Sequence, residues 1–241
     1  PEVCQAVKKI VDNSAARISW DELRFEEESQ DRDSQEIIDR IVSSLEHTHI
    51  GLKGPITTPI GTGPRSINVA VRRKLNLYAN LRPIRTIPGV KSKYQNIDIV
   101  IIRENTEGLY CGIEHRIKDK FAESIKLTTW DASQKISEFA FKYAVEHEKD
   151  KITIVHKANI LKDSDGLFLE AARKTSQKYP KIDLEERIVD NMCLQLVERP
   201  EEYGVILTPN LYGDILSDLG AGLIGGLGVT SSANLSEYHS L

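Results

Sequence analysis

The sequence predicts an α/β protein with a largely parallel sheet, because stretches with strand character alternate with stretches of helical periodicity along most of its length. Runs rich in Ile and Val, such as 96–102, 151–155 and 204–208, are typical of buried strands. The segments between them place apolar residues three or four positions apart, as helices packed on a sheet do. Inserted hairpins are compatible with this fold class.

The N-terminal part predicts two helices and a loop. Pro1 suits the first position of a helix, and apolar residues at helical spacing carry that helix to about residue 12. A charged stretch follows, in which 17–22 is a candidate strand, and a second helix is predicted over 33–45. Four glycines and three prolines within 51–64 predict a loop of the kind found at binding clefts.

Further along the chain, predicted strands and helices alternate. Asp131 and Gln134 are suitably placed to cap the start of one helix, and Pro180 is expected to end another. The predicted elements are, in order, a helix over 66–75, strands over 77–82 and 96–102, a candidate strand over 126–129, a helix beginning near 131, a strand over 151–155, a helix over 164–178, a strand over 184–189, a short helix ending near 200, a strand over 204–208 and a helix over 212–219.

The composition excludes several classes of function. With 32 Lys and Arg against 36 Asp and Glu, the 241 residues carry a net charge of −4, which argues against nucleic acid as the main partner. The longest apolar stretch is Gly-rich and shorter than the ~20 residues of a membrane span. Three scattered cysteines indicate neither a disulfide framework nor a zinc site and favour a reducing compartment. The length allows one large domain or two ordinary ones.

Charged residues stand where predicted strands end or just beyond. Arg82, Arg103, Lys157, Asp190 and Asp214 follow this pattern. Ligands of α/β sheets bind at the carboxyl ends of the strands. A single residue of this kind is often structural, whereas five in succession predict a binding site at this edge of the sheet.

Asp214 and Asp218 are separated by four positions in a predicted helix, so both carboxylates project from the same face. Two like charges at this spacing destabilise a helix by a few tenths of a kcal/mol unless something compensates. A hard divalent cation, Mg²⁺ or Mn²⁺, would compensate, with Asp190 as a third oxygen ligand. The alternative is a solvated acidic face with counter-ions nearby.

A second group of residues favours the binding of carboxylates. Ser66 and Asn68 stand at a helix start beside the Gly-rich loop, where backbone N–H groups attract anions. Arg72, Arg82 and Arg103 each offer the paired N–H donors that suit a carboxylate. Together with a cation, these residues predict a site for a small polycarboxylate. The alternative for Arg72 is an exposed basic helix face.

Tyr110 and Lys157 are the candidates for proton transfer. Each would need a lowered pKa to act near neutrality, and nearby positive charge or a metal ion would provide that. The alternative for Tyr110 is a packing residue. The polar run 103–107 just before it favours a role in the site.

Two glycine-rich segments resemble nucleotide-binding loops but lack the rest of each motif. Residues 220–225 match the dinucleotide pattern of glycines, yet they follow a predicted helix instead of a strand. Residues 61–66 lack the Gly-Lys-Ser/Thr of a phosphate-binding loop. Neither segment is therefore predicted to bind a nucleotide.

Five motifs are similar, in order along the chain, to those of the isocitrate/isopropylmalate dehydrogenase family. They are residues 64–74, 78–83, 103–110, 156–159 and the run Asn210-Leu-Tyr-Gly-Asp-Ile-Leu-Ser-Asp218. The resemblance covers essentially all 241 residues. It implies a two-domain α/β fold without a Rossmann nucleotide site. It also implies a metal-dependent oxidation of a 2-hydroxy acid by NAD or NADP, followed by β-decarboxylation.

The resemblance implies roles for individual residues as well. It places substrate contacts at Ser66, Asn68, Arg72, Arg82, Arg103 and Tyr110, metal ligands for Mg²⁺ or Mn²⁺ at Asp190, Asp214 and Asp218, and catalytic groups at Tyr110 and Lys157. In the family, the lysine and one metal aspartate reach the site of the neighbouring subunit. For Lys157 and Asp190 this implies a homodimer or hetero-oligomer with a shared active site.

The family's domain organisation can be carried over in the same way. Residues 1–77 and 225–241 would belong to a large domain that is incomplete at both ends. Residues 78–224 would form a small domain with a dimer-forming segment.

Within the family, the pair Ser66 and Asn68 is similar to isocitrate enzymes, and Gly108 and His115 are similar to NAD-type enzymes. The resemblance therefore implies the oxidative decarboxylation of isocitrate to 2-oxoglutarate by a catalytic subunit. One alternative is a homoisocitrate or isopropylmalate dehydrogenase. Another is a non-catalytic regulatory subunit of a hetero-oligomeric isocitrate dehydrogenase.

Both ends of the chain suggest a fragment. The family's opening motif is reduced to Pro1-Glu2, and the loop that holds the adenine end of the cofactor is expected beyond Leu241. The cofactor-binding residues are therefore expected outside this sequence, with NAD favoured and NADP kept open. The implied compartment is the cytoplasm in a bacterium and the mitochondrial matrix in a eukaryote.

Overall fold

The structure is a computed structural model and describes residues 2–25, 34–54, 66–118 and 120–241. It divides into two compact units. One consists of the residues up to Leu77 together with Leu235–Leu241, and the other of Tyr78–Asn234. Within the described ranges, no helix has the length and apolar character needed to cross a membrane.

The described part of the first unit is mainly helical. Its helices are α1 (Glu2–Asp12), α2 (Ser34–Thr48) and α3 (Ile67–Lys74). Ile37, Leu45 and Val71 belong to a small core in which α2 packs against α3. The apolar spacing that predicted these helices therefore corresponds to the face that each of them buries, except for α1, which buries no residue completely.

Of the two remaining predictions for the first unit, the structure contradicts one and agrees with the described part of the other. The candidate strand over 17–22 is wrong, because these residues form no regular secondary structure. A strand needs a neighbour to bond its backbone, and alternation in the sequence does not supply one. The predicted loop over 51–64 is irregular at 51–54, and its remainder lies outside the described residues.

The second unit is built around a six-stranded sheet. The strands are β1 (Ala79–Arg85), β2 (Asp98–Glu104), β3 (Glu114–Ile117), β4 (Phe121–Ser124), β5 (Lys151–His156), β6 (Asp183–Ile188), β7 (Val205–Thr208) and β8 (Ala233–Leu235). The sheet order is β6-β5-β7-β2-β1-β8, while β3 and β4 form a separate hairpin. The neighbours from β6 to β2 are parallel, whereas β1 is antiparallel to β2. This mostly parallel sheet confirms the predicted fold class.

Helices connect the parallel strands of the second unit. They are α4 (Trp130–Glu146), α5 (Ser164–Ser176), α6 (Val189–Glu198) and α7 (Asn210–Ile224). The core includes Ile99, Ile101, Ile206 and Leu216, which are at most 2% exposed. Because β2 and β7 are buried at every position but the first residue of β2, they read as continuous apolar runs in the sequence.

Local details of the second unit correct several predictions. Residues 126–129 are not a strand, since Leu127 makes only an isolated bridge to Gly108. The cap of α4 is Thr129, whose side chain accepts a hydrogen bond from the Ala132 amide, and not Asp131 or Gln134. Threonine is among the residues preferred at this position, because its side-chain oxygen can accept a hydrogen bond from a free amide of the first turn.

Helix α7 is longer than the predicted 212–219 at both ends. It therefore contains most of the glycine segment 220–225, and Gly225 follows directly as its C-terminal cap. A helical backbone at these positions agrees with the expectation that they form no dinucleotide-binding loop.

The sheet brings the candidate residues to one edge. Arg103 stands near the end of β2, opposite Asn80 of β1 on one side and Thr208 of β7 on the other. Lys157 follows the end of β5, and α7 begins just after β7. Parallel strands thus place these side chains at the carboxyl edge of the sheet.

Candidate active site

Arg103 lies at the centre of the site and is 1% exposed. Its Nε and Nη2 atoms donate to the side-chain oxygen of Asn210 at 3.0 and 2.7 Å. Its Nη1 atom donates to one carboxylate oxygen of Asp214. A buried guanidinium is tolerated only when it is paired and hydrogen-bonded, and both partners come from the start of α7.

Asp214 is held from two sides. Arg103 bonds one of its carboxylate oxygens, and the Tyr110 hydroxyl donates to the other. Burial alone would raise the pKa of Asp214, but the charge of Arg103 and the bond from Tyr110 outweigh it and keep the pKa below its usual value. Asp214 is therefore an anion in a fixed orientation, and Asp218 follows on an exposed position of the same helix.

Tyr110 faces both charged groups. The guanidinium carbon of Arg103 lies 5.2 Å from the centre of the Tyr110 ring, a cation–π distance. Burial and the hydrogen bond to Asp214 raise the pKa of Tyr110. The structure therefore contradicts the expectation that this pKa is lowered. The phenol is therefore protonated near neutrality, which suits a proton donor.

Gly213 allows α7 to approach β2 closely enough for these contacts. A Cβ atom at this position would lie 2.5 Å from the Cγ atom of Arg103 and 2.5 Å from the Thr208 hydroxyl oxygen. No side chain fits at such distances. This close approach is the physical reason for a glycine immediately before Asp214.

Arg82 projects from β1 into the same region. Its Nε atom donates to the Asn80 side-chain oxygen at 3.0 Å, and the Asn80 amide donates to the Asn234 side-chain oxygen at 2.9 Å. Burial and the charge of Arg103 lower the pKa of Arg82, while the charges of Asp214 and Asp218 oppose this change. The structure thus brings Arg82, Arg103, Tyr110, Asp214 and Asp218 into one electrostatic group.

Lys157 and Asp190 form a separate ion pair. The Lys157 ammonium donates to an Asp190 carboxylate oxygen at 2.5 Å, and this bond lowers the pKa of Asp190. The Asp190 side chain is 69% exposed and that of Lys157 is 27% exposed, so both are open to a partner. Among the described residues of one chain, no three His, Cys, Asp or Glu side chains come together in a way that could hold a metal ion.

The donor chemistry of α7 fits a hard cation. Asp214 and Asp218 supply carboxylate oxygens one turn apart, which are the ligands that Mg²⁺ and Mn²⁺ prefer. Each Asp214 oxygen keeps a second lone pair beyond its bond to Arg103 or Tyr110. A ligand set that includes Asp190 would need that residue from a second chain, and it stays a prediction.

Ser66, Asn68 and Arg72 belong to the first compact unit. Ser66 is the N-cap residue of α3, although its side chain makes no capping hydrogen bond. Asn68 lies in the first turn of α3 and Arg72 in its last turn. Their expected roles in substrate binding also stay predictions.

Several residues of the site were not indicated by the sequence. Asn80 and Asn210 orient the two arginines, and Asp165 accepts hydrogen bonds from the Lys157 amide and the Tyr212 hydroxyl. Asparagines near strand ends and an aspartate in the first turn of a helix are common for purely local reasons. The available signal was that Asn80 and Asn210 belong to two of the motifs, residues 78–83 and the run that ends at Asp218.

The whole chain, residues 1–241, matches the family model described as isocitrate/isopropylmalate dehydrogenase. The chain therefore belongs to this family. A crystal structure of isocitrate dehydrogenase from Methylococcus capsulatus has a TM-score of 0.95 and 43% identity, covering 100% of this chain and 72% of that one. The α/β fold of the family is thus shown by sequence and by structure.

Curated relatives carry three kinds of name. The NAD isocitrate dehydrogenase catalytic subunit 5 of Arabidopsis thaliana, which is mitochondrial, is 45% identical over 98% of this chain and 63% of its own length. A mitochondrial NAD isocitrate dehydrogenase regulatory subunit from Dictyostelium discoideum is 47% identical over 100% of this chain and 66% of its own length. The chloroplastic 3-isopropylmalate dehydrogenase of Solanum tuberosum is 44% identical over 98% of this chain and 66% of its own length. The chain thus spans slightly less than two thirds of these relatives.

Proposed function

We propose that the full-length protein catalyses the metal-dependent oxidative decarboxylation of isocitrate to 2-oxoglutarate, with reduction of NAD or NADP. The observation that carries this proposal is the pairing of buried Arg103 with both Asp214 and Tyr110. It combines a carboxylate-binding cation, a metal-ligating anion and a proton donor in one place. Membership of the family supports the same reaction class.

The arginines are suited to bind the substrate carboxylates. Arg82 is held through its Nε atom by Asn80, so its Nη nitrogens remain suited to the paired bonds that a carboxylate accepts. Arg103 is fixed by Asn210 and Asp214 before any substrate arrives. Such preorganised cations orient an anionic substrate without reorganising during the reaction.

Proton transfers would fall to Tyr110 and Lys157. When bound at Asp214 and Asp218, Mg²⁺ or Mn²⁺ would supply Lewis-acid polarisation of the substrate oxygens. Tyr110, whose raised pKa keeps its hydroxyl protonated, would donate a proton to the carbon that loses CO₂. Lys157, in its neutral amine form, would accept the proton of the substrate hydroxyl while its backbone is held in place by Asp165.

The shared active site is part of the proposal. The exposed Asp190 and the partly exposed Lys157 support entry of this pair into the site of a second subunit, either in a homodimer or in a hetero-oligomer. We propose a large domain that includes 1–77 and the residues after 224, and a small domain over 78–224. The mitochondrial names of relatives favour the mitochondrial matrix in a eukaryote, with the cytoplasm as the bacterial counterpart.

Two alternatives have specific support. A regulatory subunit is favoured by the identity to the Dictyostelium relative, but retention of Arg82, Tyr110, Asp214 and Asp218 favours catalysis. An isopropylmalate dehydrogenase is favoured by the identity to the Solanum relative, and a homoisocitrate dehydrogenase by the resemblance of residues 107–110 to that branch of the family. Against 3-isopropylmalate stands the polar pair Ser66 and Asn68, which suits a third carboxylate.

The test is turnover by the purified full-length protein with Mg²⁺ or Mn²⁺. We expect reduction of NAD or NADP with isocitrate, measured by absorbance of the reduced nicotinamide, and much slower reduction with homoisocitrate or 3-isopropylmalate. In the control variant Asp214→Asn, turnover should be lost together with Mn²⁺ affinity measured by calorimetry. Tight isocitrate binding without turnover would support the regulatory alternative instead.

A further inference from the structure

Among the described residues outside the cluster around Arg103, Asp165 is the most deeply buried charged residue. It lies in the first turn of α5 and is 0% exposed. One oxygen accepts hydrogen bonds from the Lys157 backbone amide at 2.7 Å and from the Tyr212 hydroxyl at 3.0 Å. The other oxygen pairs with the ammonium of Lys126.

These partners come from three separate segments. Lys157 follows β5, Tyr212 lies in the first turn of α7, and Lys126 precedes α4. The Lys126 ammonium also lies 4.9 Å from the centre of the Tyr212 ring. A buried carboxylate is costly unless it is paired and hydrogen-bonded, and here both oxygens are bonded.

A purely structural ion pair would need only Lys126. The bond to the Lys157 amide does more, because it fixes the backbone of a residue whose side chain is partly exposed. The turn after Lys157 strengthens this anchor, since the amides of Ile160 and Leu161 both donate to the Lys157 carbonyl. The Asp165 amide donates to the Leu161 carbonyl, so backbone hydrogen bonds connect successive turns of the segment 157–165.

We propose that Asp165 is a positioning residue that holds the Lys157 backbone, and through it the Lys157 ammonium, in register with the start of α7. The register is set by Tyr212, which lies two residues before Asp214 and bonds the same carboxylate oxygen as the Lys157 amide. The inference rests on the proposed function only for the proton-transfer role of Lys157.

The first test measures hydrogen exchange in the full-length protein, which needs no turnover. In Asp165→Ala, we expect exchange of the amides in 157–161 to accelerate roughly tenfold to a hundredfold, as loss of a bond to a charged acceptor implies. Tyr212→Phe should produce a smaller increase in the same peptide. The matched control is Asp163→Asn, an exposed aspartate in the same turn, which should leave this exchange rate unchanged.

Asp165→Ala leaves the partly buried ammonium of Lys126 without its carboxylate partner, which opposes folding of the single variant. The double variant Asp165→Ala/Lys126→Met removes both charges and keeps the interior neutral, so it provides a second folded protein for the same measurement. Unchanged exchange at 157–161 in this variant and in Tyr212→Phe would overturn the proposal.

The second test asks whether Asp165 acts through Lys157. We expect Asp165→Ala/Lys126→Met to lower kcat roughly tenfold or more with little change in KM, and to have almost no further effect in a Lys157→Met background. Effects that multiply would show that Asp165 acts elsewhere and would overturn the proposal. If the unaltered protein fails to oxidise isocitrate, the proposed function is wrong, and hydrogen exchange still decides whether Asp165 holds Lys157.

Discussion

At the scale of single residues, the site depends on how the Arg103 charge is buried. Asn210 and Asp214 satisfy its guanidinium, and both stand in the first turns of one helix. Removing one partner of a buried ion pair typically costs about 3–5 kcal/mol, because the other charge stays unpaired. The hydrogen bonds that satisfy Arg103 when the second unit folds therefore also fix the orientation of Asp214 in the site.

Gly213→Ala tests the close approach that this pairing requires. The added methyl would overlap Arg103 and Thr208, so we expect the free energy of unfolding to fall by about 1–3 kcal/mol and turnover to fall with it. The measurement is denaturant unfolding of the full-length protein followed by circular dichroism.

The control for Gly213→Ala lies on the same helix. Nothing lies within 4 Å of a Cβ atom at Gly222. Alanine is the better helix former, so Gly222→Ala should leave stability unchanged or raise it by up to about 1 kcal/mol. Equal stabilities for the two variants would contradict the steric interpretation.

At the scale of secondary-structure elements, the segment after β5 connects the sheet to Lys157. His156 is the last residue of β5 and is 8% exposed. Its Nδ1 atom accepts a hydrogen bond from the Ala158 amide at 3.0 Å. Burial lowers the pKa of His156, although the charges of Glu186 and Asp165 oppose this change. The neutral imidazole is therefore the form that the fold stabilises.

This lowered pKa predicts a loss of stability in acid. As the pH falls below about 6.5, the unfolded chain binds a proton at His156 before the folded chain does, so the free energy of unfolding decreases. The stability that neutral His156 contributes is fully present above that pH. It is lost as the pH falls through the pKa of His156 in the folded protein.

His156→Asn isolates the effect, because the asparagine oxygen can still accept from Ala158 but does not titrate. We expect its stability to depend less steeply on pH between about 7 and 5 than that of the unaltered protein. Parallel pH profiles from unfolding curves would refute the assignment to His156.

At the scale of the whole molecule, the predicted catalytic and metal-binding groups among the described residues make two separate sets of ion pairs. Lys157 pairs with Asp190, whose side chain is 69% exposed, while Asp214 pairs with the buried Arg103. The chain also spans only 63% of the Arabidopsis relative. Completion of the site by a second subunit is thus a prediction about the full-length assembly.

Mixed oligomers test this prediction directly. Lys157→Met and Asp214→Asn should each retain only a small residual activity alone, because every site would lack one group. If Lys157 serves the neighbouring subunit, mixing the unfolded variants and refolding them together should restore about a quarter of the unaltered activity, since half of randomly formed dimers hold one intact site. Absence of recovery in a verified mixed dimer would place Lys157 and Asp214 in the same chain's site.

Much of the fold was predictable from the sequence because helix and strand periodicities are local properties. The apolar spacing of α2 and α4 and the apolar runs of β2 and β7 gave the element types and the α/β class. Boundaries were less predictable. Thr129, the cap of α4, also bonds the distant Glu107 carboxylate, and α7 extends over 210–224 while it packs against β1 and β2.

The sequence by itself determined the fold class and the residues with suitable chemistry, since their motifs resemble those of one family. Only the tertiary structure decided which of them meet. Arg103 and Asp214 are 111 positions apart, and Asp165 joins partners 39 and 47 positions away. The physical reason is that a buried charge must find its partner across the fold, and no local pattern in the chain encodes that pairing.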